Sequence, residues 1–259
     1  MKLHFTASAA PLAQQVLKEV EAIHTNVPID EADVVVSLGG DGHGLEDMRK
    51  ALVHGKPMYG INCGNLGYLM NPLRHSKLSL PERIKRSTTV TFHPLDISAI
   101  LRDQLEDQPS EIHLIAFNEG AVRRMSAQSA HVRVRYIYNG QEKVLAEESI
   151  CDGAIVGTPL GSTGYLSAVG GKVIPWSRQT LAVHSICARK KLDKRISDKA
   201  EVIIDSLDSE KRPVIVSGDN QECKLPISSC HIAMNHQKKV QVLFDPMTLL
   251  KKRLSQYIR

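Results

Sequence analysis

One short stretch places a carboxylate among glycines. The chain reads GGDG at residues 39–42, directly after the apolar run ADVVVSL, and a helical pattern starts near Gly44. The glycines can adopt positive φ and leave backbone amides bare for a phosphate, and the start of a helix adds positive potential there. Asp41 would repel that phosphate unless it faces an acceptor hydroxyl, which a carboxylate can orient and deprotonate during phosphoryl transfer. The stretch therefore predicts a phosphate loop with Asp41 as general base or, alternatively, a tight turn in which Asp41 caps the helix.

A second glycine-rich stretch, GINCGNLGYLMN at residues 60–71, follows the next predicted strand. Its Asn62 and Asn65 can hold ribose or phosphate oxygens, and Tyr68 can stack on a purine. Taken alone, the stretch is more typical of an ordinary loop with a half-buried tyrosine.

A third stretch, FNEGAVRR, places Asn118 beside Glu119 at the end of a predicted strand. Adjacent amide and carboxylate groups can bond neighbouring ribose hydroxyls from two directions. The alternative is a turn in which the asparagine bonds its own backbone.

The fourth stretch, CDGAIVGTPLGSTGYLSAVGGKVIP, concentrates small and polar side chains. Asp152 opens a strand, and Thr163, Gly164 and Tyr165 follow in a turn rich in hydroxyls and glycines. Such a turn suits the polar edges of a nucleotide. Ser162 is not the nucleophile of a G-x-S-x-G elbow, because its preceding glycine is directly adjacent, so the pattern does not favour hydrolysis.

The elements that must position these side chains fall into two kinds. The first ~75 residues alternate strand and helix patterns, which is typical of a parallel sheet with ligands at its strand ends. From about residue 88 short strands dominate, and Asn139-Gly140 marks a hairpin. We therefore predict an α/β domain over residues 1–90, a mostly-β domain over 91–245, and a helix over 246–259 that packs back on the first domain.

Composition narrows the class of function. The 259 residues are 42% hydrophobic and 24% charged, which is typical of a globular protein, and the net charge of +5 suits anionic substrates. Aromatic residues make up only 4%, so stacking on single-stranded nucleic acid is not expected. Five cysteines without C-x-x-C spacing favour a reducing compartment, and neither a signal peptide nor a membrane span is expected. We expect a cytoplasmic protein whose partners are small molecules, not nucleic acid or membrane.

Together the four stretches resemble the motifs of the NAD kinases, in the same order and over nearly the whole chain. Those motifs are GGDG, G-x-N-x-G-x-x-G-F/Y-L, an Asn-Glu pair, and D-G-x-x-x-x-T-P-x-G-S-T-A-Y. GGDG alone is weak, since phosphofructokinases and lipid kinases have similar loops, but the Asn-Glu pair combined with T-P-x-G-S-T-x-Y is specific. KPMYGINCGNLGYLMN, KRPVIVSGDNQE and LFDP resemble the alphaproteobacterial branch.

The resemblance implies a fold and a reaction. The fold is a Rossmann-like N-terminal α/β domain with the GGDG loop and a C-terminal β-sandwich-like domain. The reaction transfers the γ-phosphate of ATP to the 2′-hydroxyl of the adenosine ribose of NAD, with Mg²⁺, in a homodimer or homotetramer. No metal ligand is implied.

The resemblance also assigns residues. Asp41 is the catalytic base, and Gly39, Gly40 and Gly42 bind the ATP phosphates. The residues that bind NAD are Asn62, Tyr68, Asn118, Glu119, Asp152, Thr163, Gly164, Tyr165 and Asp219.

The chain departs from the family pattern at several positions. Leu160 replaces a small or hydroxylated residue, which puts one polar contact to NAD in doubt, and Gly164 replaces alanine. Ala168 and Lys172 alter the segment that holds the nicotinamide end. Cys63 stands where bacterial members often have arginine, which predicts weaker nucleotide binding. Two alternatives therefore stay open: a nucleotide-binding regulator that has lost turnover, and a lipid kinase with the same GGDG loop.

Overall fold

The computed structural model describes residues 1–64, 67–73, 78–103 and 110–248. The chain divides into two compact units. The first unit is Met1–His93 with Gln237–Arg259, and the second is Pro94–His236.

Helices and strands are numbered along the whole chain. The first part of unit 1 contains β1 (Leu3–Ala7), α1 (Pro11–Glu21), β2 (Val34–Gly39), α2 (Asp41–Val53), β3 (Met58–Asn62), β4 (Asn71–Pro72), α3 (Leu80–Arg86) and β5 (Thr88–Phe92). Unit 2 contains β6 (Leu95–Leu101), β7 (Glu111–Ala116), β8 (Glu119–Arg124), β9 (Ala130–Tyr138), β10 (Gln141–Cys151), β11 (Gly153–Gly157), α4 (Tyr165–Ala168), β12 (Thr180–Ile186), β13 (Asp193–Ser197), β14 (Glu201–Ser206), β15 (Val214–Gly218) and β16 (Gln221–Met234). The chain then returns to unit 1 with β17 (Val240–Phe244).

The sheet of the first unit runs in the order β1-β2-β3-β17-β5, with β4 beside β3. Pairs β1–β2, β2–β3 and β3–β17 are parallel, and β5 joins antiparallel. Every residue of β2 is buried, as its continuous apolar run predicts for the interior of a parallel sheet. The carboxyl ends of β2 and β3 therefore deliver the two glycine-rich stretches to the same edge of the sheet.

The second unit is built on one large antiparallel sheet, in the order β10-β9-β14-β16-β15-β8-β11-β12-β13, with β6 and β7 attached through β16. The β9–β10 hairpin turns at Asn139 and Gly140, whose φ angles are 51° and 72°. Those values suit a type I′ turn, so the Asn-Gly signal correctly located this hairpin. The predicted fold class, an α/β domain followed by a β-sandwich-like domain, is confirmed.

Two sequence predictions differ from the structure in unit 1. The second helix begins at Asp41 and not near Gly44, because Gly40 is its N-cap and the apolar periodicity starts only after the first turn. Residues 240–244 were assigned to the mostly-β domain, yet β17 pairs with β3 and β5 of the first sheet. A short apolar strand carries no local signal for the sheet that it joins. Most of the predicted helix over 246–259 lies outside the described residues.

Candidate functional site

The GGDG stretch forms the junction between β2 and α2. Gly39 ends the buried strand, Gly40 is the N-cap in an extended conformation, and Asp41 is the first helical residue. The first hydrogen bond of the helix runs from the N–H of Gly44 to the carbonyl of Gly40 at 3.0 Å. The amides of the three residues before Gly44 therefore have no acceptor within the helix, and they point where a phosphate would meet the helix N-terminus.

Asp41 connects this junction to the second glycine-rich stretch. The N–H of Tyr68 donates to Asp41 Oδ2 at 2.8 Å, and the N–H of Leu69 donates to Asp41 Oδ1 at 2.9 Å. The N-cap of α2 is Gly40 and not Asp41, so the structure does not show the alternative in which Asp41 caps the helix. Each carboxylate oxygen retains a second lone pair, so the side chain is fixed in place and still able to accept a proton.

The three glycines of the junction differ in how much space a side chain would have at each position. None of them has positive φ, contrary to the expectation from the sequence. A Cβ on Gly39 would lie 2.9 Å from the Cβ of His43, so this glycine makes room for that side chain. Among the described residues, a Cβ on Gly40 or Gly42 would meet nothing within 4 Å. Packing within the fold does not require glycine at these two positions, and their open space suits an incoming ligand.

Behind the junction, α2 carries a buried charge cluster. Asp47 is fully buried, and its Oδ2 accepts from the hydroxyl of Thr6 and lies 3.1 Å from His43 Nε2. Lys50 Nζ is 3.0 Å from Asp47 Oδ1. Burial alone would raise the pKa of Asp47, but the nearby His43 imidazole and the hydroxyls of Thr6 and Ser37 outweigh it and lower the pKa to about 2. Asp47 is thus a permanent charge that anchors the first turns of α2.

The second glycine-rich stretch lies against the first. The N–H of Cys63 donates to the carbonyl of Gly39 at 2.9 Å, and a Cβ on Gly64 would lie 3.6 Å from the Cα of Gly40. Asn62 Oδ1 accepts from the N–H of Gly64 at 3.0 Å, which forms a turn of the Asx type. Cys63 is buried, and burial raises the pKa of its thiol, so it supplies no charge to this stretch.

Tyr68 is half-buried in this stretch, and its backbone binds Asp41. The predicted residues Asp41, Gly40, Asn62 and Tyr68 are therefore brought together in unit 1. Asn65 lies outside the described residues.

In the second unit, the Asn-Glu pair is held by Asp219. The Asp219 carboxylate accepts the N–H groups of three consecutive residues: Phe117 at 2.9 Å, Asn118 at 2.8 Å and Glu119 at 3.3 Å. The N–H of Asp219 donates back to the carbonyl of Glu119 at 3.0 Å. Asp219 has a φ of 50°, in the left-handed region that few residues other than glycine adopt. This conformation turns the carboxylate towards the three amides.

Glu119 is the most perturbed acid of this region. Its side chain is 9% exposed, and its Oε2 has no hydrogen-bond partner within the described part of the chain. Burial, and secondly the charge of Asp219, raise the pKa of Glu119 to about 8. Below that pH the carboxyl carries a proton, so it can donate a hydrogen bond as well as accept one.

The T-P-L-G-S-T-G-Y turn packs against the Asn-Glu pair. Thr158 donates its N–H to the carbonyl of Asn118 at 2.8 Å and its hydroxyl to the carbonyl of Phe117 at 2.7 Å. A Cβ on Gly161 would lie 2.6 Å from the Cα of Asn118, so only glycine permits this close approach. A Cβ on Gly164 would lie 3.8 Å from Asn118 Nδ2, which is an ordinary contact. The turn therefore places Gly164 beside the Asn118 amide.

Ser162 is committed to structure. It is fully buried, its hydroxyl donates to the carbonyl of Pro159 at 2.7 Å, and its oxygen accepts the N–H of Ile174 at 2.9 Å. This arrangement agrees with the interpretation that Ser162 is not a hydrolytic nucleophile. Leu160 is also buried, at 6% exposure, so it presents no polar group to a ligand.

An open cavity of about 330 Å³ lies beside these groups in unit 2. It is lined by Glu119, Arg123, Tyr165, Ser217, Asp219, Asn220, Gln221 and Glu222. Tyr165 begins α4, is 37% exposed, and has a pKa raised by burial. The volume is at the lower end of the range typical of small-molecule sites.

Four predicted residues of unit 2 are not part of the lining of that cavity, namely Asn118, Asp152, Thr163 and Gly164. Asp152 precedes β11 and forms an ion pair with Arg124, at 2.8 Å, at the opposite end of β8 from Glu119. Thr163 is half-buried in the turn before α4. Lys172 and Ala168, two departures from the family pattern, are exposed.

The His, Cys, Asp and Glu side chains are the groups that could hold a metal ion. Within the described ranges, no group of three or more His, Cys, Asp or Glu side chains is arranged to hold a metal ion. Mg²⁺ commonly keeps several waters and binds proteins through one or two carboxylates together with substrate phosphates. The residues present fit that mode and not a dedicated metal cage. No helix in the part of the chain that the structure describes has the length and apolar character of a membrane span.

Sequence reasoning missed four polar residues near the sites. Asp47, Asn71, Arg83 and Asp245 are all buried in unit 1. Asn71 and Asp245 each follow an apolar run, which is the signal that was available for them, whereas Asp47 and Arg83 lie among charged residues and give no such signal. Their partners lie up to 186 residues away, and no local pattern identifies those partners.

Comparison with known proteins agrees with the geometry. A family model described as the ATP-NAD kinase C-terminal domain matches residues 122–243. An NAD kinase of Hyphomonas neptunium is 35% identical over 258 residues, which cover 98% of this chain and 96% of the relative. NAD kinases of Brucella suis and Caulobacter vibrioides are 33% and 32% identical, over 95% and 98% of this chain and 92% and 94% of theirs. These organisms are alphaproteobacteria, as the resemblance to that branch predicts.

Two solved structures share the fold. A yeast NADH kinase complexed with NADH matches with a TM-score of 0.73 and 16% identity, over 97% of this chain and 86% of that one. An NAD kinase from Archaeoglobus fulgidus in complex with ATP matches with a TM-score of 0.72 and 21% identity, over 98% of this chain and 99% of that one. Full-length identity above 30% to several NAD kinases, with the four motifs in order, shows that this chain belongs to the NAD kinase family.

Proposed function

We propose that the protein transfers the γ-phosphate of ATP to the 2′-hydroxyl of the adenosine ribose of NAD, which yields NADP and ADP. The observation that carries this proposal is the junction of β2 and α2. There, two backbone amides fix the Asp41 carboxylate. Gly40 and Gly42 lie on either side of Asp41, and packing among the described residues does not require glycine at these two positions. A phosphate site and a proton acceptor thus lie next to each other, as phosphoryl transfer to a hydroxyl needs.

In the first unit, Gly39, Gly40 and Gly42 form the backbone against which the ATP phosphates rest, at the N-terminus of α2. Asp41 accepts the proton of the 2′-hydroxyl as that oxygen forms its bond to the γ-phosphorus. The bond between the γ-phosphorus and the bridging oxygen breaks, and ADP leaves with the electron pair. Asn62 and Tyr68 contribute to nucleotide binding, Tyr68 by stacking on adenine.

In the second unit, Asn118 and Glu119 bind ribose and neighbouring polar groups, and Tyr165 lines the pocket. Thr163 and Gly164 complete the polar edge beside Asn118. Since the Asp219 carboxylate is occupied by three amides, its main role is to position the Asn-Glu pair, and any contact with NAD is secondary. Asp152, which stands apart from the cavity lining, contacts NAD across a subunit interface.

The reaction also uses magnesium. When bound, Mg²⁺ would supply charge that neutralises the phosphates. No side chain of this chain is assigned as its ligand, because the described residues form no cluster of the required kind. We propose further that the protein works in the cytoplasm as a homodimer or homotetramer. All five cysteines are free, which suits a reducing compartment.

The reaction itself is the test. Purified protein is incubated with NAD, ATP and Mg²⁺, and NADP is measured with an NADP-specific dehydrogenase, with and without excess EDTA. The expected result is NADP formation that EDTA abolishes. Binding of NAD without turnover at saturating ATP would support the regulator instead. Phosphorylation of a diacylglycerol, with none of NAD, would support the lipid kinase.

A further inference from the structure

A buried polar network lies in unit 1, directly behind the stretch whose amides hold Asp41. Its centre is Asp245, the residue after β17, which is 4% exposed. Tyr59 donates its hydroxyl to Asp245 Oδ1 at 2.6 Å, and Arg83 donates Nη2 to Asp245 Oδ2 at 2.8 Å. The Arg83 guanidinium also lies 5.6 Å from the centre of the Tyr59 ring.

The network contacts both ends of the second glycine-rich stretch. At its start, Gly60 follows Tyr59 in β3. At its end, Asn71 donates Nδ2 to the carbonyl of Gly60 at 3.0 Å and to the carbonyl of Leu243 at 2.9 Å. Asn71 Oδ1 accepts the N–H of Asp245 at 2.8 Å. All the hydrogen-bonding capacity of the Asn71 amide, apart from one lone pair, is therefore used to close the stretch onto β3 and β17.

Arg83 fixes the same end from a third direction. Its Nη2 donates to the carbonyl of Pro72 at 2.8 Å as well as to Asp245. Residues 71 and 72 are thus held by α3 and by the segment after β17. Two and three positions earlier in the chain are Leu69 and Tyr68, whose N–H groups bind Asp41.

These contacts form a continuous path of hydrogen bonds and backbone. We propose that Asp245, acting with Arg83 and Asn71, is a positioning residue for the phosphoryl transfer. It holds the amides of Tyr68 and Leu69 where they orient the Asp41 carboxylate. The proposal rests on the proposed function in one respect, namely that Asp41 is the base.

Because the chain returns to the first sheet with β17, Asp245 is placed in this network. β17 inserts between β3 and β5, and it delivers the carboxylate to a site 174 residues away from Asn71 in the sequence. Burying charged side chains carries a desolvation cost, and apolar packing of similar volume is often as stable as a buried ion pair. The side chains of Tyr59, Asn71 and Asp245 are all hydrogen-bonded, while Arg83 Nε has no partner among the described residues. Hydrogen bonds of this kind favour a single defined geometry. That is the property an oriented base needs, because a shift of about 1 Å can lower the rate about 100-fold.

The first measurement is structural and does not depend on activity. Hydrogen exchange of the Tyr68 and Leu69 amides is compared in wild type, Tyr59→Phe and Asp245→Asn. Tyr59→Phe removes a single hydroxyl, so it keeps the fold if Asp245→Asn does not. Val16→Ala is the matched control, because Val16 belongs to the same hydrophobic core as Tyr59 but has no bond to the network. Both network variants are expected to speed exchange of the two amides at least tenfold, and the control to leave it unchanged.

The second measurement is a double-mutant cycle on kcat. In an otherwise wild-type chain, Asp245→Asn is expected to lower kcat about 10- to 100-fold with the KM for NAD within about twofold. In the Asp41→Asn background it is expected to lower the residual kcat by less than about twofold, since the two changes act on one unit. Equal losses in both backgrounds would overturn the proposal, as would amide exchange in folded Tyr59→Phe that matches wild type. If Asp41→Asn alone keeps full activity, the base assignment fails, while faster exchange in the network variants still shows that Asp245 holds the stretch.

Discussion

Asp41 in the first unit and Asp219 in the second both accept backbone N–H groups from a segment far away in the sequence. Asp41 takes two amides, from Tyr68 and Leu69, and Asp219 takes three, from residues 117–119. Asp41 begins a helix with ordinary backbone angles, whereas Asp219 occupies the left-handed region. The same device, a carboxylate bound by amides, therefore appears in two very different backbones.

The difference lies in what surrounds each carboxylate. Gly40 and Gly42 flank Asp41, and among the described residues a Cβ at either position would meet nothing within 4 Å, so a ligand has room beside Asp41. Beside Asp219 is Glu119, a buried acid with an unpartnered oxygen. In unit 1 the amides orient a reactive carboxylate, whereas in unit 2 the carboxylate orients the segment that carries the amides. Variants at or beside either carboxylate test this difference.

Asp219→Asn is expected to have the largest effect of these variants. Asparagine tolerates the left-handed backbone, but its side chain has one acceptor oxygen for the three amides, whereas the carboxylate has two. The Asn-Glu pair then loses part of its support, and the KM for NAD is expected to rise about 10- to 100-fold, as for misplaced binding groups generally. Steady-state kinetics with varied NAD at saturating ATP measures this.

Asp205→Asn is the matched control for that variant. Asp205 is also in unit 2 and is bound by Arg135 and Ser229, away from the Asn-Glu pair. Its KM for NAD is expected to stay within about twofold of wild type, in line with surface substitutions generally. An Asp219→Asn protein no different from this control would refute the positioning role.

Gly42→Ala tests the open space beside Asp41 and separates stability from binding. Gly42 lies in the first turn of α2, and alanine is favoured over glycine in helices by up to about 1 kcal/mol. The free energy of unfolding is therefore expected to rise by about 0.5–1 kcal/mol. The KM for ATP is nevertheless expected to rise about tenfold, the equivalent of roughly 1.4 kcal/mol. Urea unfolding and ATP kinetics check the two parts, and unchanged ATP kinetics would show that no phosphate approaches this position.

Much of this arrangement could be predicted from local sequence. The apolar run before GGDG fixed β2, and Asn139-Gly140 located a hairpin, because burial and turn chemistry leave local patterns. The roles of Asp41 and Glu119 come from the GGDG and Asn-Glu motifs and their resemblance to the NAD kinases, and these roles stay predictions. Local patterns did not reveal that α2 begins at Asp41, since the apolar period becomes visible only from Leu45.

Long-range partners could not be predicted. Nothing near Asp219 in the sequence indicates that its carboxylate binds amides about 100 residues earlier, and nothing near Asp245 indicates Tyr59 or Asn71. These pairings are set by which strands become neighbours in the sheet. The assignment of β17 to the wrong sheet has the same cause, since strand order is a global property of the chain.

Glu119→Gln tests the buried acid through pH. Because the pKa of Glu119 rises from 4.5 to about 8 on folding, the native state binds more protons than the unfolded state between those values. The free energy of unfolding contributed by Glu119 is therefore present at low pH and is lost as the pH rises through this window. At pH 8.5, Glu119→Gln is expected to raise Tm by roughly 2 °C or more over wild type, with a smaller difference at pH 5. A constant difference across that range would contradict the assignment.

Gly164→Ala is expected to have the smallest effect. A Cβ at Gly164 would lie 3.4 Å from the carbonyl oxygen of Gly161, which is ordinary contact, and the position is exposed. The KM for NAD is expected to stay within about twofold of wild type, in line with a surface substitution. A larger rise would show that the ligand contacts this backbone directly and would sharpen the boundary of the site in unit 2.

The central claim is that Asp41, oriented by two amides, is the base for phosphoryl transfer to NAD. The most direct test is Asp41→Asn, with kcat for NADP formation and the Kd for NAD measured on the same preparation. The claim predicts a loss of about 10²- to 10⁴-fold in kcat, the usual contribution of a general base, with the Kd for NAD within about threefold. A kcat near that of wild type, or a loss of NAD binding as large as the loss in kcat, would contradict it.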